Sequence, residues 1–375
     1  MRFDRNEWSG AFGDMGTDFP LIVGMILAAG LDPTGVLLAF GLMQIMTGLI
    51  YRMPMPVQPL KAMAVLVIAQ KATGNVLFGA GLAIAVMMLT LSVTGLLDVL
   101  ARAIPKSVIR GIQFGLGLQL AQLALRDYVP AEGKAGYVLG AIAFILILAL
   151  LGNRRFPPAM FVIALGILFA LFWKGAGIGW IHTLGIHLPT LHVPTKQDVW
   201  TGFLFLAIPQ IALSLGNSVL ATKQLAADLF PERPLTIRKI GFTYSFMNFV
   251  NPFLGGIPTC HGSGGMAGHY AFGGRTGGSV IVYGSFYLTI GLFASASFQQ
   301  VVVFFPKPML GTILLFEAVA LILLLRDLSA SKSELAIAVF SGLMAVTLPY
   351  GYVVALITGT AIFYLGRRRL ENLPR

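Results

Sequence analysis

The chain has 375 residues, of which 57% are hydrophobic and 11% are charged, and its mean hydropathy is +0.83. A soluble domain carries about 25% charged residues, and a soluble fold of this length could not bury so much apolar surface. The composition therefore excludes a soluble protein and predicts an all-α polytopic membrane protein. Its long leucine-rich runs are typical of spanning helices and not of the alternating strands of an outer-membrane barrel.

The net charge of +11 would suggest nucleic acid as the partner of a soluble protein. In a membrane protein the positive-inside rule explains this charge. The expected partner is therefore the lipid bilayer, and nucleic acid is not expected as a partner. The polar N-terminus has no apolar core of a signal peptide, so we expect no cleaved leader. The lone Cys260 excludes an internal disulfide and a cysteine-based metal cluster, and no metal or cofactor is expected.

Dividing the apolar runs at Pro, Gly and charged clusters predicts fourteen spans: 10–30, 33–51, 56–71, 75–98, 105–126, 135–152, 157–174, 200–229, 235–251, 258–273, 278–298, 306–326, 333–348 and 351–366. With the N-terminus inside, eighteen Lys and Arg residues fall inside and six outside, while Lys61 and Lys223 lie within spans. This asymmetry predicts a cell (inner) membrane protein with both termini cytoplasmic.

Landmarks recur at nearly one offset in the two halves of the chain. The matched pairs are Gly13 with Gly216, Pro56 with Pro258, and Pro105 with Pro306, at offsets of 203, 202 and 201. They predict two seven-span repeats, 1–174 and 200–375, joined by an external linker, 175–199. Seven is odd, so the second repeat runs in the opposite sense, as is typical of secondary transporters with paired broken helices.

Two stretches interrupt the apolar pattern at equivalent places in the repeats. Met53–Lys71 carries three prolines, Pro54, Pro56 and Pro59, which exclude a regular helix up to about Gln58. Gly255–Gly278 carries ten glycines, and a short helix is expected within it from Ser263 to Phe272. A helix that begins inside a membrane has unpaired N–H groups and a positive dipole end, which together favour an anion. The alternative is that the glycines only permit close helix packing.

The residues PMPVQPLKAMA (54–64) and IPTCHGSGGMAGHYAFGGRTGGS (257–279) resemble the signature stretches of the molybdate transporter family, a branch of the sulfate permease superfamily. GAFGDMGTDFP (10–20) and PQIALSLGNSVLAT (209–222) resemble its first and eighth spans. The resemblance implies a uracil-permease fold, with a core domain of spans 1–4 and 8–11, a gate domain of spans 5–7 and 12–14, and by analogy a homodimer. Asp18 departs from the family pattern, and because the sequence stops soon after the last predicted span, the cytosolic regulatory domain of many sulfate permeases is not expected here.

The two interrupted stretches and the eighth span supply the predicted substrate-binding residues: Gln58, Lys61, Gln210, Asn217, His261, Gly262, Ser263, Gly264 and Gly265. Lys61 either neutralises the anion or pairs with Asp14, and the pair is favoured when the site is empty. His261 either donates to the anion or is bonded to a backbone carbonyl. Gln210 and Asn217 are seven residues apart and share one helix face, from which they line the cavity or cross-link helices.

Three acids are the proton-coupling candidates: Asp14, Asp18 and Glu317. The two aspartates lie four residues apart in an apolar setting, where desolvation and mutual repulsion favour the protonated form of at least one of them. The alternatives are a salt bridge from these aspartates to Lys61 or Lys223, and a gate-domain amide as the partner of Glu317. The evenly spaced histidines of the linker, His182, His187 and His192, are interpreted as a solvated loop.

Together these features predict a secondary active transporter of a tetrahedral oxyanion, molybdate or sulfate, coupled to protons and working by alternating access. One alternative is a nucleobase or bicarbonate carrier of the same fold, and another is an anion channel. An enzyme is not expected, because no nucleophile–base pair stands out in the chain.

Overall fold

The computed structural model describes residues 1–150, 158–172, 184–348 and 350–371, most of which are helical. The first half contains α1 Arg5–Ala11, α2 Met15–Ala29, α3 Pro33–Tyr51, β1 Gln58–Pro59, α4 Lys61–Gln70, α5 Gly74–Thr94, α6 Leu96–Ala103, α7 Lys106–Leu123, α8 Gly133–Leu150 and α9 Pro158–Phe172. The second half contains α10 Lys196–Gly202, α11 Ile208–Leu213, α12 Thr222–Leu229, α13 Ile237–Val250, β2 Thr259–Cys260, α14 Ser263–Ala271, α15 Gly278–Phe293, α16 Ser295–Phe304, α17 Lys307–Leu323, α18 Lys332–Thr347 and α19 Gly351–Glu371.

Short segments of other helix types join some of these elements. The π-helical segments are Ala124–Tyr128, Phe203–Ala207 and Ser214–Ala221, and the 3-10 segments are Val129–Glu132, Asn251–Leu254 and Leu324–Leu328. Because of the π segments, the predicted eighth span is helical from α10 to α12 but is not a regular α-helix. Likewise the predicted first span is broken between α1 and α2.

Four helical stretches of the described chain are long and apolar enough to cross a membrane unaided: Pro33–Tyr51, Gly74–Thr94, Lys106–Leu150 and Lys307–Leu328. Two more spans arise if each bent pair counts as one, namely Arg5–Ala11 with Met15–Ala29, bent by 40°, and Lys196–Ile211 with Ser214–Leu229, bent by 50°. The prediction of a mainly helical, multi-pass membrane protein is confirmed. The number of fourteen spans is not established by these lengths and compositions.

The predicted linker is described from residue 184 onward and contains no helix before α10. His182 and the ends of the spans predicted at 135–152 and 157–174 lie outside the described residues. The backbone N–H of His187 donates to Leu292 O at 2.7 Å, and that of His192 donates to Phe253 O at 3.0 Å. The linker is therefore tied to the ends of helices of the second half, although most of its side chains are exposed.

Two short strands cross where the sequence predicts broken spans. Strand β1 pairs antiparallel with β2, with Gln58 opposite Cys260 and Pro59 opposite Thr259. The backbone N–H of Leu60 extends the pairing by donating to Pro258 O at 3.1 Å. Prolines keep this backbone extended, since each lacks an N–H and restricts the residue before it. We call residues 55–60 and 257–262 the strand crossing; the sequence predicted irregular backbone here but not the pairing.

Two buried amide side chains complete the hydrogen bonding of the crossing. Gln44 donates to Val57 O at 2.8 Å and accepts from Val57 N at 3.1 Å. Asn248 does the same for Thr259, at 2.6 Å to its carbonyl oxygen and 2.9 Å from its N–H. Each amide therefore takes the place of a neighbouring strand, which a buried backbone requires because unpaired polar groups are costly away from water.

Glycines bring the surrounding helices into close contact. A Cβ at Gly41 of α3 would lie 2.6 Å from Gly284 O of α15, and one at Gly111 of α7 would lie 2.5 Å from Ala338 O of α18. No side chain fits at such distances, so the helices pack backbone to backbone, as small residues permit in membranes. Helices α3 and α15 pack beside the crossing, whereas α7 packs against α17 and α18 in a second group.

Candidate functional site

The strand crossing places the starts of α4 and α14 next to each other. Both strands run directly into a helix, which begins at Lys61 in one case and at Ser263 in the other. Helix α14 begins at the predicted residue, whereas α4 begins two residues after Pro59, which the sequence favours as the helix start. Since a helix N-terminus carries a partial positive charge and free N–H groups, the two starts make this region electropositive.

The start of α14 is open. Its N-cap residue, Gly262, supplies no side-chain hydrogen bond, and among the described residues the N–H groups of Ser263, Gly264 and Gly265 have no acceptor. A Cβ built on Gly264 would meet no atom within 4 Å, so the space beside it is empty of protein. The hydroxyl of Ser263 donates to Asn217 Oδ1 at 3.0 Å, which fixes it at the edge of this space.

The start of α4 is closed by a side chain. Gln210 Oε1 accepts from the backbone N–H of Ala62 at 2.9 Å and of Met63 at 3.3 Å. Its Nε2 donates to Ser214 Oγ at 3.1 Å, and that hydroxyl lies 2.8 Å from Tyr244 Oη. Gln210 therefore cross-links helices, which was one of the two predicted roles, and it occupies donors that an anion would need.

The shared helix face expected for Gln210 and Asn217 is wrong in detail. The chain is π-helical over Ser214–Ala221, and this wider turn changes the angular spacing that the prediction assumed. As a result Gln210 contacts the start of α4, whereas Asn217 contacts Ser263 at the start of α14. The side chains of Gln210 and Asn217 therefore form hydrogen bonds with different helices, α4 and α14.

Gln58 does not present its amide N–H groups to the open space. Its Nε2 donates to both carboxylate oxygens of Asp14, at 2.7 and 2.8 Å, and its buried Oε1 has no partner in the described chain. A Cβ at Gly262 would lie 1.6 Å from that oxygen, and one at Gly265 would lie 2.2 Å from Asp14 Oδ2. Glycine is therefore required at both positions, because Gln58 and Asp14 approach so closely. Since Gln58 donates to Asp14, the prediction that it is free to donate to an oxyanion is wrong.

Lys61 forms a salt bridge with Glu317 of α17, and both side chains are about 15% exposed. The pairing favoured from sequence, Lys61 with Asp14, is wrong, because Asp14 is held by Gln58. The alternative that Glu317 contacts an amide such as Gln113 is also wrong, since the carboxylate of Glu317 pairs with Lys61 and Gln113 contacts Arg110. The salt bridge joins the start of α4 to a helix of the group that contains α7.

His261 is fully enclosed and both of its ring nitrogens are engaged. Nδ1 lies 3.1 Å from Pro56 O, and Nε2 lies 2.7 Å from Thr243 Oγ1. Its ring also stacks edge-on against Tyr51 at 5.4 Å. The backbone-bonded alternative is therefore correct, and the prediction that His261 donates to the anion is not supported by this geometry.

Asp18 is fully buried, and neither carboxylate oxygen has a hydrogen-bond partner among the described residues. The predicted alternative of a salt bridge to Lys61 or Lys223 is wrong for both aspartates. A buried charge with no partner is costly, so Asp18 is the most unusual ionisable group near the crossing.

Two cavities that contain lysine or arginine side chains lie near the two ends of α7. The first, of about 540 Å³, we call the basic cavity; it is lined by Ile104, Lys106, Ile109, Arg110, Gly216, Leu220, Ala221, Lys223 and Gln224. The second, of about 470 Å³, we call the opposite cavity; it is lined by Leu27, Ala28, Ile68, Ala69, Lys71, Leu123, Asp127, Tyr128 and Lys307. Gly216 of the basic cavity directly precedes Asn217, which accepts a hydrogen bond from Ser263 at the start of α14.

The sequence analysis missed the residues that hold the backbone of the site. Glu7 is 1% exposed and accepts from the N–H groups of Arg275, Thr276 and Ser279. Gln44 and Asn248 clamp the crossing, and they could have been found from the repeat, because their separation of 204 (248 − 44) lies close to the offset of the landmark prolines. Glu7 carries no such signal.

Comparison with known proteins identifies the family. The family described as "Molybdate transporter of MFS superfamily" matches residues 6–120 and 202–321, which include both strands of the crossing. Molybdate transporter 1 of Arabidopsis thaliana is 32% identical over 86% of this chain and 80% of its own length. The chain belongs to the molybdate transporter family.

A further relative is similar in sequence, and two solved structures are similar in fold. Molybdate transporter 1 of Chlamydomonas reinhardtii is 27% identical over 96% of this chain and 88% of its own length. The molybdate transporter fold seen here is similar to the transmembrane domain of the cyanobacterial bicarbonate transporter BicA, with TM-score 0.67, 15% identity, and coverage of 96% and 98% of the two chains. It is also similar to murine Slc26a9 in the inward-facing state, with TM-score 0.72, 14% identity, and coverage of 97% and 68%. As a member of a transporter family, the protein is a transporter and not an enzyme.

Proposed function

We propose that this molybdate transporter family member carries molybdate across the membrane as a secondary active transporter, with sulfate as a competing substrate of the same shape. The observation that carries the proposal is the open start of α14, where three backbone N–H groups lack an acceptor among the described residues and no protein atom lies within 4 Å of a Cβ built on Gly264. A tetrahedral oxyanion has the charge and the several acceptor oxygens that such a helix start binds.

In this proposal the anion is held mainly by backbone donors of α14. Ser263 contributes its backbone N–H, its hydroxyl donates to Asn217 Oδ1 at the edge of the site, and Gly264 leaves the approach free. Lys61 lies at the start of the neighbouring helix and becomes available to the anion when its salt bridge with Glu317 opens. Two other predicted residues, Gln58 and Gln210, act by holding the crossing and the start of α4 in place.

We infer further that the chain has fourteen spans in two inverted repeats. Support comes from the register of the crossing. Gln58 pairs with Cys260, and the two residues are 202 positions apart, which is the offset between the repeats. Each strand therefore pairs with its own counterpart in the other repeat, as two repeats related by a two-fold axis require. The equivalent clamps made by Gln44 and Asn248 point the same way. The repeats are 1–174 and 200–375, with 175–199 as the linker.

Alternating access is proposed to move a core domain, spans 1–4 and 8–11, against a gate domain, spans 5–7 and 12–14. The Lys61–Glu317 salt bridge then joins the core to the gate, beside the proposed anion position. We place the protein in the cell (inner) membrane with both termini cytoplasmic, on the basis of the distribution of Lys and Arg. Dimer formation is proposed by analogy with the family.

Proton coupling is part of the proposal because an inside-negative potential opposes uptake of a dianion by about 2.3 kcal/mol per charge per 100 mV. Asp18, buried without a partner, is the first candidate carrier, with Asp14 and Glu317 beside it in the network of the crossing. Molybdate uptake into proteoliposomes should increase when an inward proton gradient is imposed. Equal uptake with and without the gradient would remove proton coupling while leaving the transport proposal intact.

The substrate is tested by calorimetric titration of the purified protein with molybdate, tungstate, sulfate, bicarbonate and uracil side by side. We expect binding of the tetrahedral oxyanions and none of the planar ligands, because the free donors at α14 converge on one compact anion. Preferential binding of bicarbonate or uracil would refute the assignment. A bilayer recording separates a carrier from a channel, since only a channel gives conductance far above carrier turnover.

A further inference from the structure

The basic cavity holds more positive charge than the mechanism above requires. Lys106, Arg110 and Lys223 all line it, and a single carboxylate, that of Asp327, contacts two of these cations. Asp327 lies in the 3-10 segment that follows α17, and it reaches across to the first turn of α7. Lys223 has no ion-pair partner in the described chain, and its side chain is exposed to the cavity.

Arg110 is only partly satisfied by its neighbours. One terminal nitrogen, Nη1, donates to Gln113 Oε1 at 2.8 Å, and the other, Nη2, donates to Asp327 Oδ2. Its Nε is buried and has no partner among the described residues. The edge formed by Nε and Nη2 is the edge that binds two oxygens of one oxyanion, and Asp327 uses half of it.

Asp327 occupies a position that suits a displaceable counter-ion. Its Oδ2 contacts Arg110 and also lies 3.3 Å from Lys106 Nζ, and its side chain is 39% exposed. A dianion with four oxygens would bind both cations and the free Nε at once, which a monoanionic carboxylate in this position does not do. An ion pair whose carboxylate is partly exposed contributes little stability, so a ligand with more acceptor oxygens can displace that carboxylate.

We propose that Arg110, Lys106 and Lys223 form a second oxyanion site in the basic cavity, in which the substrate displaces Asp327 on its way to or from the start of α14. This inference rests on the proposed function and extends it with a relay position. Gly216 lines the cavity and the next residue, Asn217, contacts Ser263, so the same π-helical segment forms part of the cavity wall and contacts the start of α14.

The opposite cavity has no equivalent of this site. It contains Lys307 and Asp127, which correspond to Lys106 and Asp327 at offsets of 201 (307 − 106) and 200 (327 − 127). The residue that corresponds to Arg110 at an offset of 201 is Gly311, which has no side chain. The relay site is therefore confined to one end of the transport path, and Lys307 supplies a matched lysine at the other end.

The test is the concentration dependence of molybdate uptake by the full chain in proteoliposomes of phosphatidylcholine at low salt. We expect Arg110→Gln to raise KM about five- to tenfold with little change in kcat, and to weaken its salt dependence, because the cavity no longer concentrates the anion. Lys223→Gln, which breaks no ion pair, should raise KM about two- to threefold for the same reason. Asp327→Asn should lower KM by removing the competing carboxylate.

Two control variants separate this site from general surface charge. Arg102→Gln removes one positive charge from the exposed end of α6, outside the cavity lining, and should leave KM within about twofold of wild type. Lys307→Gln makes the matched change in the opposite cavity and should not reproduce the weakened salt dependence. Unchanged KM in both Arg110→Gln and Lys223→Gln, with wild-type uptake intact, would overturn the relay site alone. Absence of molybdate uptake by the wild type would instead refute the proposed function.

A lipid headgroup carries the same phosphate-like chemistry and is distinguished by a second set of vesicles. If phosphatidylglycerol raises KM of the wild type but not of Arg110→Gln, anionic lipid occupies the cavity and the relay assignment is overturned. If KM of the wild type is the same in both kinds of vesicle, the cavity is reserved for the soluble anion, as we propose.

Discussion

The position of the anion predicts opposite behaviour for two adjacent glycines of α14. Replacing Gly264 by Ala or Val adds atoms where no protein atom lies within 4 Å, and its backbone is not in the left-handed region. The change in stability should therefore stay within about 1 kcal/mol, the scale of a Gly to Ala exchange in a helix. Replacing Gly265 by Ala puts a Cβ 2.2 Å from Asp14 Oδ2 and 2.8 Å from Pro56 Cγ, which should cost about 1–3 kcal/mol of stability.

Molybdate affinity should show the opposite order, with the larger loss in the Gly264 variants. A side chain at Gly264 lies in the space assigned to the oxyanion and separates it from at least one backbone N–H. A hydrogen bond to a charged group contributes about 1.5–3 kcal/mol, so the loss of one weakens molybdate binding about 10- to 150-fold. Valine, which is bulkier than alanine, should show the larger loss.

Thermal unfolding of the purified variants gives the stability, and calorimetric titration with molybdate gives the affinity. Gly264→Val with wild-type stability and wild-type affinity would refute the placement of the anion at the start of α14. Destabilisation of Gly264→Ala as large as that of Gly265→Ala would show that the space beside Gly264 is not open. Either result would remove the observation on which the proposed function depends.

The buried contacts make three further predictions. Lys61→Gln and Glu317→Gln should each lower the free energy of unfolding by about 3–5 kcal/mol, because each leaves one charge unpaired. In thermal unfolding the double variant should lose less than the sum of the two single losses. Strictly additive losses would mean that the salt bridge is not formed. Gln44→Leu and Asn248→Leu should each cost about 1–3 kcal/mol per orphaned backbone group, measured the same way, and a loss in only one of them would contradict their equivalence. His261→Gln should leave the pH profile of uptake unchanged, since both ring nitrogens are already bonded; a displaced profile would show that His261 titrates during transport.

Local sequence was sufficient to locate the interrupted backbone. Pro56 and Pro258 exclude a regular helix at two equivalent places, and the glycines after Pro258 mark the start of α14, because these effects act within a few residues. The match at nearly constant offset indicated that the two places belong together. The family and the nature of the substrate were recognised from the same two stretches.

Side-chain pairing was decided only by the tertiary structure. Nothing in the sequence near Lys61 distinguishes Asp14 from Glu317 as its partner, because α17 is more than 200 residues away in the chain. The contact of Gln210 with the start of α4 was likewise not predictable from the sequence, because it depends on a π-helical segment that no residue pattern indicated.

Composition and proline positions are enough to indicate a multi-pass membrane protein with two broken spans, because they act through local backbone chemistry. Which helix start is capped by Gln210 and which stays open depends on how distant parts of the chain pack together. The difference arises because Gln210 lies within hydrogen-bond distance of the start of α4, whereas α14 has no side-chain cap. An anion therefore finds free donors at α14.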